Sequence, residues 1–212
     1  EAVSAAGAPG CLRQYLSLEK SNAAGARVGI MMAGSMASYN AFIAKALVDA
    51  GSDVLVDTIG HPDASISGAG AWAVEQAASH GTEVAMVLVT QGCMRELVTM
   101  YSRTPATKAE LKAKLKRATK AVIYNCNTTG PLEGFVSPGT PPELSKHLLA
   151  RLIVLLSESP KARQQFVTSG ALARLQKAMG QLDAKGQQHA EAINALFPPD
   201  VVAYYEQAKP KA

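Results

Sequence analysis

The chain has 212 residues, a formal net charge of +4 and a composition that is 48% hydrophobic, 18% charged and 5% aromatic. This mild basicity, with a pI near 9.0, falls short of a nucleic-acid tail. No apolar run reaches the roughly 18 residues that a membrane span needs. Cys11, Cys93 and Cys126 are odd in number and form no CxxC pair, so they read as reduced thiols in a cytosolic setting. Abundant alanine with few aromatics suits closely packed helices more than sheets. The N-terminus shows no signal-peptide pattern and starts at Glu1, which reads as a piece of a longer protein.

In chain order, one short phrase recurs. It runs Val3 to Gly7 in a weak copy, then Leu47-Val48-Asp49-Ala50-Gly51, Leu88-Val89-Thr90-Gln91-Gly92 and Phe166-Val167-Thr168-Ser169-Gly170. The glycines repeat at a period of about 40, with the last gap nearly two periods, which points to armadillo or HEAT units. Five residues after each glycine stand Leu12, Val56, Leu97 and Leu175; eight after stand Tyr15, Ile59, Met100 and Ala178. Residues three apart share a helical face, so each glycine should separate a short helix from a second one that buries that face. The glycine can take the left-handed conformation that ends a helix.

A third, longer helix then fills each period. Met31, Met32 and Met36 belong to the first, Ile66 to Ser79 with Trp72 to the second, and Lys108 to Tyr124 to the next. His61-Pro62-Asp63 breaks the chain ahead of the second. Gly130-Pro131, Ser137-Pro138-Gly139 and Pro141-Pro142 predict a loop-rich insertion over residues 130–142, with helix resuming from about Glu143 to Leu156. Phe197-Pro198-Pro199 should end the last unit, with Asp200 capping a short helix that holds Tyr204 and Tyr205. Val84 to Val89 and Ala121 to Tyr124 would also pass as buried strands, but strand–helix alternation does not explain the repeated phrase. Tyr15, Tyr39, Tyr101, Met31, Met32 and Trp72 read as core and inter-repeat packing.

Chemistry-bearing patterns are weak. Ser17-Leu18-Glu19-Lys20 fits S-x-x-K but lacks its companion motifs, and a surface turn explains it. His61, His80, His147 and His189 are scattered, without metal-ligand spacing. Gly29 to Gly34 and Gly68-Ala69-Gly70 are not followed by the Gly-Lys-Ser/Thr of a phosphate loop. Asn127-Thr128-Thr129 is a sequon that stays unused without secretion. The expectation is therefore no catalytic residue, no cofactor, no metal and no enzyme. Lys108, Lys112, Lys114, Lys116, Arg117 and Lys120 form a basic helix on which Lys112, Lys116 and Lys120 recur at i+4 as one stripe. Such a stripe needs solvent or an acidic protein surface. Nucleic acid fits less well, because no aromatic residues interleave.

Trp72 within Ala69-Gly70-Ala71-Trp72-Ala73-Val74-Glu75-Gln76 resembles the third-helix signature of armadillo repeats. More narrowly, four stretches resemble the C-terminal part of the sperm-associated antigen 6 family: Gly29-Ile30-Met31-Met32, Ala71-Trp72-Ala73, Lys161 to Gly170, and Phe197 to Tyr205. The resemblance covers residues 1 to about 205, including the insertion; Glu75 departs from the family pattern. It implies an all-α, armadillo-type α-solenoid of stacked three-helix repeats in a right-handed superhelix. The array spans 1–205, in units of about 1–37, 38–80, 81–127, 128–158 (degenerate) and 159–205, with a frayed tail at 206–212.

The family's role implies a non-enzymatic protein-binding scaffold of the ciliary or flagellar central pair, located in the cytoplasm, cytoskeleton and axoneme. Its partners would be other central-pair proteins or microtubules, whose acidic tails would suit the lysine stripe; neither membrane nor nucleic acid is implied. Third helices in armadillo families line a groove where an asparagine clamps extended peptides. The matching positions here are Ser35, Gln76 and Ala121, so that ladder is mostly missing. Ser35, Gln76, Lys112, Lys116 and Lys120 are the candidate protein-binding residues. The alternative is a soluble armadillo adaptor for extended peptides. Because one repeat cannot bury its own apolar face, self-association through exposed repeat ends is also expected.

Overall fold

The computed structural model describes residues 7–18 and 22–207, and every regular element among them is helical. The weak repeat copy at Val3 to Ala6, the end of the Ser17–Lys20 motif and the tail after Gln207 lie outside the described residues, as do the side chains of Leu12 and Ser17. The chain divides into two compact units, Glu1–Asn125 and Cys126–Ala212.

The first unit holds α1 (Ala8–Leu18), α2 (Ala23–Ala37), α3 (Ala41–Ile59), α4 (Ala64–Ala78), α5 (Thr82–Thr90), α6 (Cys93–Arg103) and α7 (Ala109–Asn125). Short polar side chains set the helix starts. Asn22 accepts from the Gly25 N–H, Asn40 from Ile43, and Asp63 from Ser65 and Ile66. Asp63 thus occupies the capping position after the His61-Pro62 breaker, and these hydrogen bonds hold its carboxyl below the usual range.

The repeated glycines sit where one helix hands over to another. Gly92 (φ 84°) joins α5 to α6 in the left-handed region. Gly51 instead kinks α3 with an extended φ of −162°, and Arg13 on α1 packs against its open side. The anchors counted from these glycines face inward: Val56, Ile59 and Leu97 are buried, while Met100 is half-buried. The segments that would pass as strands are helical, in α5 and α7.

The long third helices α2, α4 and α7 stack side by side, and α4 packs on both neighbours. Their contact faces are built from small residues: Ala33, Gly34 and Ala37 on α2, with Ala69, Ala73 and Ala77 on α4. A Cβ on Gly34 would lie 2.6 Å from Trp72 Cε3 and 3.1 Å from the Ala73 Cα. The missing side chain is therefore the space that the indole occupies. Gly70 is equally tight, with a Cβ there falling 3.1 Å from the backbone carbon of Thr58.

Four expected core residues are not in the core. Tyr15 (38% exposed), Met31 (39%), Met32 (54%) and Tyr39 (78%) face outward, and only Tyr101 of that group is buried. Apolar character marked the methionines as interior. However, the buried stripe of α2 is Ala26, Ile30, Ala33 and Ala37, and Met31 and Met32 fall on the opposite face of the same turn.

The second unit holds α8 (Gly130–Glu133), α9 (Pro142–Glu158), α10 (Pro160–Thr168), α11 (Ala171–Ala178), a 3₁₀ turn (Met179–Gln181), α12 (Ala184–Asn194) and α13 (Pro199–Gln207). Gly170 (φ 73°) joins α10 to α11, and Leu175 and Ala178 beyond it are buried. The loop-rich insertion is well tied. The Thr129 hydroxyl donates to buried Glu133 Oε1 at 2.6 Å, Thr140 Oγ1 donates to the Phe135 carbonyl at 2.6 Å, and Arg174 Nη2 donates to the Glu133 carbonyl at 3.0 Å. Phe166 and Phe197 stack with centroids 6.1 Å apart. Asp200 lies inside the first turn of α13 rather than at its cap, because Pro199 already opens the helix.

Candidate protein-binding groove

In the first unit, α2, α4 and α7 enclose an open groove of about 650 Å³. Its apolar floor is Met31, Ala69, Trp72 and Leu111. Arg27 stands on the α2 side, and Lys108, Glu110 and Lys114 stand on the α7 side. The pattern follows from helical spacing. Arg27 and Met31 are one turn apart on α2, Ser65, Gly68 and Trp72 run along α4, and Glu110 and Lys114 are one turn apart on α7. Gly68 keeps the wall low, since its missing side chain leaves the Lys114 stem 3.5 Å from where a Cβ would be.

The charges in and beside this groove are unevenly satisfied. Glu110 is held by Lys114 at 2.8 Å, and that contact keeps its carboxyl below the usual range. Glu75, one turn beyond Trp72, receives Arg117 Nε at 3.2 Å on both oxygens, which ties α4 to α7. Asp63 is committed to the α4 cap. Arg27 and Lys108 are exposed, and neither has a carboxylate partner among the described residues.

The sequence-expected residues are only partly gathered here. Ser35 borders an adjoining hollow of about 480 Å³ on α2 that shares Arg27 and Met31 with the groove. Gln76 is half-buried, one turn past the groove floor on α4. Lys112, Lys116 and Lys120 are not in the groove. They run along a half-buried flank of α7, where Lys112 lies over the Tyr101 ring at 4.7 Å from its centroid. Sequence reasoning missed Arg27 and treated Met31 and Trp72 as core. The available signal was the i, i+4 pairing of Arg27 with Met31 on a helix whose other face is mostly small residues.

No cluster of three or more His, Cys, Asp or Glu side chains able to hold a metal occurs among the described residues. No helix among them is long and apolar enough to cross a membrane. Cys11 is exposed, while Cys93 and Cys126 are buried. Burial pushes the Cys126 thiol up to about 11, against the opposing pull of Arg151.

Stacked third helices, glycine-jointed helix pairs and an open groove define an all-α protein of the armadillo-repeat class. A designed armadillo repeat protein in complex with the peptide (KR)4 superposes with a TM-score of 0.58 at 19% identity, covering 92% of this chain and 84% of that one. A computationally designed armadillo repeat protein for modular peptide recognition gives 0.58 at 17% identity, covering 94% and 87%. No protein-family model matches the chain. In sequence, the chain is homologous to sperm-associated antigen 6 of Homo sapiens, with 31% identity over 144 residues, or 68% of this chain. The Mus musculus protein matches equally, at 31% over 144 residues. The chain spans 28% of the length of these relatives.

Proposed function

We propose that this chain is part of a non-catalytic protein-binding scaffold of the axonemal central apparatus, located in cilia or flagella. The observation that carries this reading is its homology to sperm-associated antigen 6. The groove of α2, α4 and α7 supports it by supplying a docking surface with an apolar floor and charged walls. The division into units of about 1–37, 38–80, 81–127, 128–158 and 159–205 belongs to the same proposal. Ser35 and Gln76 would extend the docking surface, and Lys112, Lys116 and Lys120 would present a second, basic one. Self-association through exposed repeat ends belongs to the same proposal, and Val28, Met32 and Phe42 are apolar side chains more than half exposed. Light scattering that finds only monomer at high concentration would remove the self-association.

The test of the scaffold is the location of the tagged full protein in a flagellated cell, followed by detergent and then salt extraction. Retention after detergent with release at high salt is the expected result. A diffuse, detergent-soluble protein would overturn it in favour of the second reading, a soluble armadillo adaptor. The designed relative carrying (KR)4 supports that alternative. The absence of an asparagine at Ser35, Gln76 and Ala121 weighs against it.

A further inference from the structure

We infer that the groove between α2, α4 and α7 takes an extended acidic segment of a protein partner, with an apolar side chain seated on Trp72 and Met31 and carboxylates reaching Arg27 and Lys108. This rests on the reading of the groove as a docking surface and adds the chemistry of its occupant. The inference comes from which charges are already matched. Among the described residues beside the groove, an incoming basic segment would find no carboxylate without a partner. Glu110 is paired with Lys114 at 2.8 Å, Glu75 with Arg117 at 3.2 Å, and Asp63 caps the α4 N–H groups. Each of these carboxylates is already partly neutralised, so an incoming cation would gain less from it than from an unpaired one. An incoming carboxylate meets two exposed cations, Arg27 and Lys108, that have no carboxylate partner among the described residues.

The floor decides between a peptide and other anions. Met31, Ala69, Trp72 and Leu111 make one apolar surface. An extended peptide can place one residue on that surface while its neighbours project to the walls. A single strand of nucleic acid would instead need successive stacking surfaces. Trp72 is half-buried, and no other aromatic residue lines the groove among the described residues.

The lysine stripe on the α7 flank is not required for this docking. Lys112 is engaged with Tyr101, and none of Lys112, Lys116 and Lys120 lines the groove.

The experiment uses the sole tryptophan as its probe. The full chain is titrated, with Trp72 emission followed, against a glutamate-rich peptide carrying one central leucine. The comparison ligands are its lysine-for-glutamate counterpart, its glycine-for-leucine counterpart and a short oligothymidylate. The expected result is saturable binding of the acidic leucine peptide with a blue shift of Trp72, weakened by salt and several-fold weaker without the leucine. The double variant Arg27→Glu, Lys108→Glu should weaken it by about tenfold or more, since two favourable contacts become repulsive. Lys112→Glu with Lys120→Glu should change it less than about threefold. Circular dichroism confirms that both double variants stay folded.

Equal or tighter binding of the lysine peptide or of oligothymidylate overturns the inference, and so does a larger loss from the flank variant than from the groove variant. No binding of any ligand also overturns it. The scaffold reading is judged separately, by axonemal retention, and survives any of these results.

Discussion

Replacing Gly34 with alanine adds one methyl group to the contact between α2 and α4, and its effect can be worked from the structure. The new Cβ would sit 2.6 Å from Trp72 Cε3 and 3.1 Å from the Ala73 Cα. Carbon–carbon contact needs about 3.6 Å, so the indole must move by about 1 Å or the two helices must part. Overpacking of this kind costs about 1–3 kcal/mol. The helix-forming gain of alanine over glycine offsets about 1 kcal/mol of that. A net loss of up to about 2 kcal/mol is therefore expected. Gly68→Ala on α4 is the matched control. Its Cβ would find Leu111 Cδ1 and Lys114 Cδ at 3.5 Å, an ordinary contact. That variant should gain about 0.4–1 kcal/mol. Urea unfolding followed by circular dichroism measures both, and Trp72 emission reports whether the ring has moved. If Gly34→Ala is as stable as Gly68→Ala and leaves the emission unchanged, the close-packed contact between α2 and α4 is wrong.

Three further outcomes are expected. Gly170→Ala forces a side chain into the left-handed region at φ 73° and should cost about 1–2 kcal/mol by denaturant midpoint, with Gly170→Asn costing less. Asp183 accepts the Gly186 N–H at 2.7 Å and pairs with Lys146 at 3.2 Å, so Asp183→Ala should cost about 1 kcal/mol. Chiefly because of the Gly186 hydrogen bond, the Asp183 carboxyl titrates below its ordinary 3.8. Its contribution should be complete above that pH and fade as the pH falls through the lowered value, and a pH series of wild type against Asp183→Ala measures this. Cys126, with its thiol raised to about 11, should resist iodoacetamide at pH 8 in the folded chain and react on unfolding, as mass spectrometry of the labelled protein would read.

Much of the fold was legible because its signals are local. The glycine phrase marked the joints at Gly92 and Gly170, and residues five and eight further on identified Leu97, Leu175 and Ala178 as inward-facing. The His61-Pro62-Asp63 breaker marked the joint ahead of α4, where Asp63 caps the helix. The groove was less legible, because it is made by three helices that are far apart in sequence. Nothing local reveals that Gly34 leaves room for Trp72, or that Arg117 reaches Glu75. Hydrophobicity also misled on α2. There the buried stripe is mostly alanine and glycine, and the large apolar side chains Met31 and Met32 are turned outward. When small residues set the helix spacing, residue size stops being a guide to which face is inside. The lysine stripe was correctly seen as one helical face, but its periodicity could not say that this face flanks the groove rather than lining it.

The glycine at Gly51 has a consequence for how such arrays drift. It occupies the same place in the repeated phrase as Gly92 and Gly170, yet its φ of −162° is open to any residue. A Cβ there would meet only the Arg13 stem, at 3.4 Å. One letter of the repeated phrase therefore meets two different constraints. At Gly92 and Gly170 the constraint is backbone handedness, which admits little beyond asparagine or aspartate. At Gly51 it is elbow room for a neighbour's side chain, where a small side chain makes an ordinary contact. Repeats aligned on that glycine will look more alike than their constraints are, and the position at Gly51 is where divergence should begin.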